Sequence, residues 1–202
     1  MSTALSLYLL DTERTRGWVG SGDKGFLRAV RAEYAAELAE EDAWFATQIA
    51  AGAPTASEAL EAVVNGGPFS GEAGHAFQYG YAYRRICAMG GPFLDNDCFS
   101  PYRGDWLSMV DEGLRAVNVT AVSVADFEYG GLPAGLPYTN IPGCGEWSAA
   151  DCERALEQFE EGERLGLTPA PDPEVAEAVA QVIGWLRRVP RGSGYGIIGF
   201  RS

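Results

Sequence analysis

The sequence has few positively charged residues and a single histidine. It has one histidine, His75, and one lysine, Lys24, and its 15 basic residues face 28 acidic residues, for a net charge of -13. A polyanion is repelled by such a chain, and no stretch gathers Lys and Arg on one face. We therefore expect no nucleic-acid partner. The same charge favours a basic protein as a partner.

Long apolar runs are also missing. No segment approaches the length of a membrane span, and the N-terminus has neither the basic start nor the apolar core of a signal peptide. These absences predict a cytoplasmic protein without a membrane partner. The cysteines have no C-x-x-C spacing and no second histidine to help bind zinc, so we expect reduced thiols and no metal site. They are Cys87, Cys98, Cys144 and Cys152.

Known cofactor and nucleophile motifs are absent or misplaced. There is no P-loop sequence and no G-x-S-x-G, and one histidine does not make a convincing Ser-His-Asp set. The glycines of residues 20–25 do not follow a strand. The string G-x-G-x-x-G at 194–199 lies three residues from the C-terminus, so no helix can follow it. We expect no cofactor.

The elements that are present predict one α+β domain over residues 1–202, mainly helical around a small sheet. Apolar runs at 4–10 and 194–200 predict an N-terminal and a C-terminal strand, and 118–124 predicts a further short strand. Helical spacing predicts six further elements. These are helices over 26–50, 56–65, 77–89 and 106–117, one from Ser148 and one from Pro173. The Gly- and Pro-rich segment 129–145 predicts a long irregular connection.

The helix over 77–89 is apolar around most of its circumference, which is typical of a central helix. Gly80 in its middle costs about 1 kcal/mol relative to alanine. We therefore expect Gly80 to allow close approach by another element or a ligand.

Several segments together resemble a bacterial family known as a domain of unknown function. They include the opening "LSLYLLD", the stretch "FQYGYAYRRIC" and the closing "WLRRVPRGSGYGIIGF", and the likeness covers nearly the whole chain. The first and last elements resemble the YfbM-like family more distantly. Both likenesses imply a small α+β domain with helices flanking a few strands, and neither implies catalytic residues.

The region with most chemical potential is the start of the central helix together with the loop that follows it. If the loop folds back, a histidine, carboxylates and tyrosines meet beside apolar walls, which supports acid–base catalysis. The predicted catalytic residues are His75, Asp95 and Asp97, and the predicted ligand-binding residues are Tyr79, Tyr83, Tyr102, Arg103 and Asp105. A pocket is predicted between 75–105 and 129–145.

A purely structural interpretation of these residues stays open. His75 then caps a helix or lies on the surface, the aspartates bond their own loop, and the tyrosines belong to the core. We favour a module that binds a small molecule or a protein partner. The alternative is a cofactor-independent cyclase, isomerase or hydrolase that uses His75.

Overall fold

A computed structural model describes residues 3–168 and 172–202. Its sheet has three antiparallel strands, β1 (Leu5–Asp11), β2 (Gly143–Trp147) and β3 (Tyr195–Arg201), in the order β1-β3-β2. The N- and C-terminal strands are hydrogen-bonded neighbours, with Leu9 opposite Ile197. Two strands predicted from apolar runs are thus confirmed, and β3 takes the central position.

Helices account for most of the remaining chain, which confirms the α+β class. Two single 3-10 turns, Ala73–His75 and Asp97–Phe99, accompany them. The α-helices are α1 (Thr12–Arg16), α2 (Lys24–Glu33), α3 (Ala35–Trp44), α4 (Ala46–Ala50), α5 (Ala56–Asn65), α6 (Ala76–Gly90), α7 (Trp106–Ala116), α8 (Asp126–Tyr129), α9 (Ala149–Arg164) and α10 (Pro173–Arg188).

Side chains along a strand point alternately to the two faces of the sheet. Helices cover both faces, so the apolar side chains on each face are buried. Leu7 and Leu9 of β1 pack in one hydrophobic core with residues of α7, α9 and α10. Tyr8 and Leu10 of β1 pack in a second core with residues of α2, α5 and α6. The molecule therefore has three layers, with α6 on one side of the sheet and α10 on the other.

Side chains cap several helix starts, including the two that the sequence predicted at Ser148 and Pro173. Asp23 accepts hydrogen bonds from the backbone N–H groups of Gly25 and Phe26, and Ser148 forms a capping box with Asp151. Asp172 caps α10 ahead of Pro173. Side-chain oxygens at these positions satisfy N–H groups that the first helical turn leaves free.

The predicted continuous helix over 26–50 is wrong, because the chain bends at Tyr34 and Phe45 to give three helices. Each bend lies at an aromatic residue that faces α6. The Phe45 ring centroid is 4.6 Å from that of Phe77, and the Arg85 guanidinium carbon is 5.7 Å from the Tyr34 centroid. Contacts with α6 thus interrupt the helix in spite of its periodic apolar pattern. The pattern within the segment does not reveal these contacts.

The strand predicted at 118–124 is also wrong, although its valines are buried. Instead of a neighbouring strand, side chains of α7 and α9 accept the hydrogen bonds of this segment's backbone N–H groups. Gln158 Oε1 accepts from the backbone N–H groups of Thr120 and Ala121, and Asp111 Oδ1 accepts from that of Val124. Apolar content therefore marks burial here but not strand geometry.

The segment predicted to be irregular at 129–145 runs into β2. Its glycines weaken the sequence signal for a strand. They are nevertheless required, because a side chain at either position would collide with a neighbouring element. A Cβ on Gly145 would lie 1.9 Å from the carbonyl oxygen of Asp126, and one on Gly143 would lie 2.8 Å from that of Glu128. The short helix α8 rests directly on the backbone of this strand.

Candidate functional site

The central helix α6 positions two of the candidate residues, Tyr79 and Tyr83. Tyr79, Tyr83, Ile86 and Cys87 are buried, which confirms the prediction of a central helix, and Met89 near its end is exposed. The Tyr83 ring packs edge-on against Phe200 of β3, with centroids 5.9 Å apart. This contact fixes Tyr83 at the boundary between α6 and the sheet.

His75 lies immediately before α6 and contacts a serine rather than a carboxylate. Its Nδ1 atom is 2.9 Å from Ser70 Oγ, and Ser70 Oγ also accepts from the backbone N–H of Glu72. Among residues 3–168 and 172–202, no hydrogen bond joins His75 to an acidic side chain. The pair of His75 and Ser70 closes the turn that leads into the helix.

Asp95 and Asp97 lie beside α10, on the other face of the sheet. Trp185 Nε1 donates to the Asp95 carbonyl at 2.6 Å, and the neighbouring Cys98 N–H donates to Gln181 Oε1 at 3.0 Å. The 15 residues of α6 separate His75 from this loop by about 22 Å along the helix axis. The structure therefore does not bring His75 to the aspartates, and their catalytic roles stay predictions.

Part of the predicted ligand-binding set does come together, in a groove between the loop and α10. Asp97, Tyr102 and Arg103 line it with Trp106 and Glu177, and its volume is about 470 Å³. Asp105 is exposed at the start of α7 and its side chain makes no capping bond. This groove is open to solvent and acidic.

Tyr79 has a structural role that the structure shows directly. Its hydroxyl accepts a hydrogen bond from the backbone N–H of Ser70 at 2.7 Å, and its ring packs edge-on against Phe69. Both contacts hold the connection between α5 and α6.

Tyr83, one turn further along α6, lines a cavity of about 430 Å³. The opposite walls come from segment 130–134 and from Cys144 to Glu146 of β2, and Arg16 stands at the edge. The cavity lies between α6 and the Gly- and Pro-rich segment, where a pocket was predicted. Its size falls in the range of small-molecule sites, about 300–1,000 Å³.

The Tyr83 hydroxyl is buried and has no hydrogen-bond partner within the described ranges. The thiol of Cys87, one turn further along α6, is a close neighbour, and its contact with the hydroxyl contributes to the pKa shifts of both groups. This contact does not satisfy the hydroxyl as a hydrogen bond of normal geometry would. Burial raises the pKa of Tyr83 strongly, and the charge of Glu146 adds to the rise. The hydroxyl is therefore a protonated, buried donor at neutral pH.

Gly80 explains how segment 130–142 lies so close to α6. A Cβ on Gly80 would be 2.8 Å from Pro142 Cδ and 3.2 Å from Thr139 Cγ2. The predicted close approach at Gly80 is thus confirmed, and the approaching element is this segment. At the other end of the segment, the Gly131 N–H donates to the Cys144 carbonyl at 2.7 Å.

At the edge of the cavity, Arg16 forms ion pairs with two carboxylates. Arg16 binds Glu146 through both Nε, at 3.0 Å, and Nη2, and its Nη1 is 3.3 Å from Glu13 Oε1. The hydrogen bond to Glu146 raises the pKa of Arg16. Arg16, Glu146 and Gly131 were not among the predicted site residues, although the glycine-rich segment itself pointed to the region.

The thiols near the cavity are poor nucleophiles. Burial raises the pKa of Cys87 and of Cys144, so both stay protonated at neutral pH. Across 3–168 and 172–202, no three His, Cys, Asp or Glu side chains are grouped in a way that could hold a metal ion. Over the same ranges, no helix combines the length and apolar character needed to cross a membrane.

The fold and the cavity define a class of three-layer α+β protein in which a small antiparallel sheet lies between two helical layers. Within that class, the chain belongs to the family described as Domain of unknown function (DUF7691), which matches residues 1–202. This agrees with the likeness to an uncharacterised domain, whereas the YfbM-like likeness stays a prediction. Neither the curated proteins nor the solved structures give a match.

The two buried tyrosines of α6 should respond oppositely to loss of the hydroxyl. Tyr83→Phe removes an unpaired buried donor, so we expect the free energy of unfolding to stay unchanged or to rise by about 1 kcal/mol. Tyr79→Phe breaks a bond and leaves the Ser70 N–H unpaired, so we expect a loss of about 1–2 kcal/mol. Urea unfolding of both variants measures the difference, and equal losses would contradict the assignment.

Proposed function

We propose that this protein is a binding protein whose ligand inserts a small uncharged group into the cavity beside Tyr83. The observation that carries the proposal is the unpaired Tyr83 hydroxyl. A buried polar group without a partner costs free energy. Among the five side chains that have such an atom within the described ranges, only Tyr83 lines this cavity. A ligand acceptor at this point would supply the missing hydrogen bond.

The walls set the chemistry of the group that fits. Leu132, Pro133 and Ile198 give apolar contacts, and Gly130 and Gly131 expose backbone without side chains. A small apolar group with one oxygen acceptor matches these walls. A charged group is disfavoured in the interior, because desolvation would not be offset by a free counter-charge.

The alternative function, acid–base catalysis by His75, needs a carboxylate or tyrosine within hydrogen-bond reach of the ring in a cavity. The nearest described partner of His75 is the Ser70 hydroxyl, and none of the described cavities of appreciable size includes His75. The geometry therefore favours binding over this form of catalysis.

A titration with simple ligands tests the proposal. Acetophenone, cyclohexanone and benzyl alcohol each combine an apolar body with one oxygen acceptor. We expect at least one of them to shift the ¹H–¹⁵N signals of Gly130, Gly131 and Gly145 in a saturable manner. Tyr83→Phe should weaken binding about fivefold, which corresponds to one hydrogen bond of about 1 kcal/mol.

Tyr79→Phe is the matched control, because it removes a hydroxyl from the same helix without touching the cavity. Its affinity for the same probe should equal that of the unmodified protein at a temperature where both are folded. Absence of saturable shifts with all three probes, or equal weakening by both substitutions, would overturn the proposal.

A further inference from the structure

Strand β2 has one edge without a strand beside it. Because β3 lies between β1 and β2, the other side of β2 faces away from the sheet. Backbone groups of antiparallel strands point alternately to one neighbour and to the other side. Alternate residues of β2 therefore point their backbone groups away from β3.

Two observations fix the alternation. On β1, the Leu9 N–H and the Leu7 carbonyl bond outside the sheet, so Tyr8 must bond to its partner Ile198 in β3. Residues 197, 199 and 201 of β3 are therefore left to bond β2. Their partners are Gly143, Gly145 and Trp147, so Cys144 and Glu146 point outward.

Gly131 already uses one outward group, because its N–H donates to the Cys144 carbonyl at 2.7 Å. This bond has the form of one rung of a sheet ladder. At Glu146, two positions further on, neither the backbone N–H nor the carbonyl has a hydrogen-bond partner in the part of the chain that the structure describes. The edge is thus partly closed by segment 130–134 and open beyond it.

The open part of this edge is a wall of the cavity, because Cys144, Gly145 and Glu146 all line it. An extended peptide that paired with Glu146 would place alternate side chains on opposite sides. One of them would point towards the space beside Tyr83. Backbone pairing with a pocket for every second side chain is the usual form of β-strand addition.

The charge around the mouth favours a basic partner. Three carboxylates lie there, those of Glu13, Asp126 and Glu146, and among the described residues Arg16 is the single cation at this mouth. Arg16 is engaged by Glu13 and Glu146, so the local charge is negative. The whole chain adds to this field with a net charge of -13.

We infer that the ligand is an extended segment of a basic polypeptide, which adds to the free edge of β2 and inserts one small side chain with an oxygen acceptor, such as that of threonine, beside Tyr83. This inference rests on the proposed function of the cavity. The backbone of the segment bonds the N–H and carbonyl of Glu146. A lysine or arginine next to the inserted residue lies near Glu13 and Glu146.

The test uses the full chain and three blocked peptides. The probe is Ac-Lys-Thr-Lys-Thr-Lys-NH₂, and the first control is the same peptide with N-methyl groups on its three central residues. N-methylation removes the donors of a sheet ladder and keeps charge and side chains. The second control replaces each lysine by glutamate.

By fluorescence anisotropy of labelled peptides, we expect the lysine peptide to bind and each control to bind at least tenfold more weakly. The N-methyl group removes the donor to the Glu146 carbonyl, and its bulk holds the peptide too far from the edge for the bond from the Glu146 N–H. Loss of these two hydrogen bonds, of about 1 kcal/mol each, corresponds to about a 30-fold change. Glu13→Gln should weaken the lysine peptide two- to fivefold. Glu174→Gln, which removes an exposed carboxylate from the distant groove, should leave it unchanged.

The outcomes separate the two proposals. If acetophenone or another simple probe binds beside Tyr83 but the lysine peptide does not, the inference about peptides is overturned and the binding function stands. Equal affinity of the N-methylated and unmodified peptides overturns the β-edge mode. If neither the peptide nor any simple probe binds, both proposals fall.

Discussion

Gly145→Ala lowers the free energy of unfolding by about 3 kcal/mol or more, the largest loss that we expect from adding one methyl group to this protein. The new Cβ would lie 1.9 Å from the Asp126 carbonyl oxygen and 2.9 Å from Phe127 Cα. Both obstacles are backbone atoms, so no side-chain rotation relieves the clash. Helix α8 must move away from β2.

Thermal and urea unfolding measure this effect, and the midpoint temperature should fall by about 6–12 °C for a chain of this size. Gly184→Ala is the control. Gly184 lies within α10, and a Cβ added there would meet no atom of the described residues within 4 Å beyond its own helix backbone. This variant should therefore gain up to about 1 kcal/mol from helix propensity. Similar effects at the two glycines would contradict the packing of α8 on β2.

Arg85→Ala lowers the free energy of unfolding by about 3 kcal/mol at pH 7, because it leaves the buried carboxylate of Glu41 without its partner. Arg85 Nη2 lies 3.1 Å from Glu41 Oε2, and the Glu41 side chain is only 8% exposed. Arg191→Ala is the control. Its partner Glu160 is 47% exposed, so the loss should stay below about 0.5 kcal/mol.

The loss at Arg85 should depend on pH with a definite sign. Desolvation raises the pKa of Glu41 even with Arg85 present, so the folded state binds a proton more readily than the unfolded state. Stability from this group is present at low pH and falls as the pH rises above the unfolded value. Without Arg85 the pKa rises further, so the difference between the variant and the parent should shrink from pH 7 towards pH 5. A constant difference over this range would contradict a buried charge at Glu41.

Where local chemistry determines local structure, the sequence was sufficient. Ser148 and Pro173 predicted helix starts, and the terminal apolar runs predicted β1 and β3. Each prediction rests on a few adjacent residues, such as a capping side chain or an alternating apolar run. Distant contacts alter them little.

The wrong predictions all have a distant cause. Tyr34 and Phe45 bend a helix because α6 offers aromatic and cationic partners, and Gln158 takes the backbone groups of 120–121 that a strand would use. Gly145 weakens the sequence signal for β2. It has to be glycine because α8 packs directly on the backbone of the strand at this position. No pattern within the segment itself carries this information.

The candidate site was predictable in region but not in composition. Tyr83 and residues 130–134 of the Gly- and Pro-rich segment line a common cavity, and its use as a ligand site stays a prediction. His75 was expected to lie beside Asp95 and Asp97, but the 15 residues of α6 separate it from the loop that carries them. Arg16 and Glu146 carry no sequence signal as a pair, since 130 positions separate them.

Binding beside Tyr83 can be seen in a crystal structure of the protein soaked with acetophenone. We expect ligand density beneath segment 130–134, with the carbonyl oxygen about 2.7–2.8 Å from the Tyr83 hydroxyl. An empty cavity with the Tyr83 hydroxyl bonded to a protein oxygen would contradict this expectation.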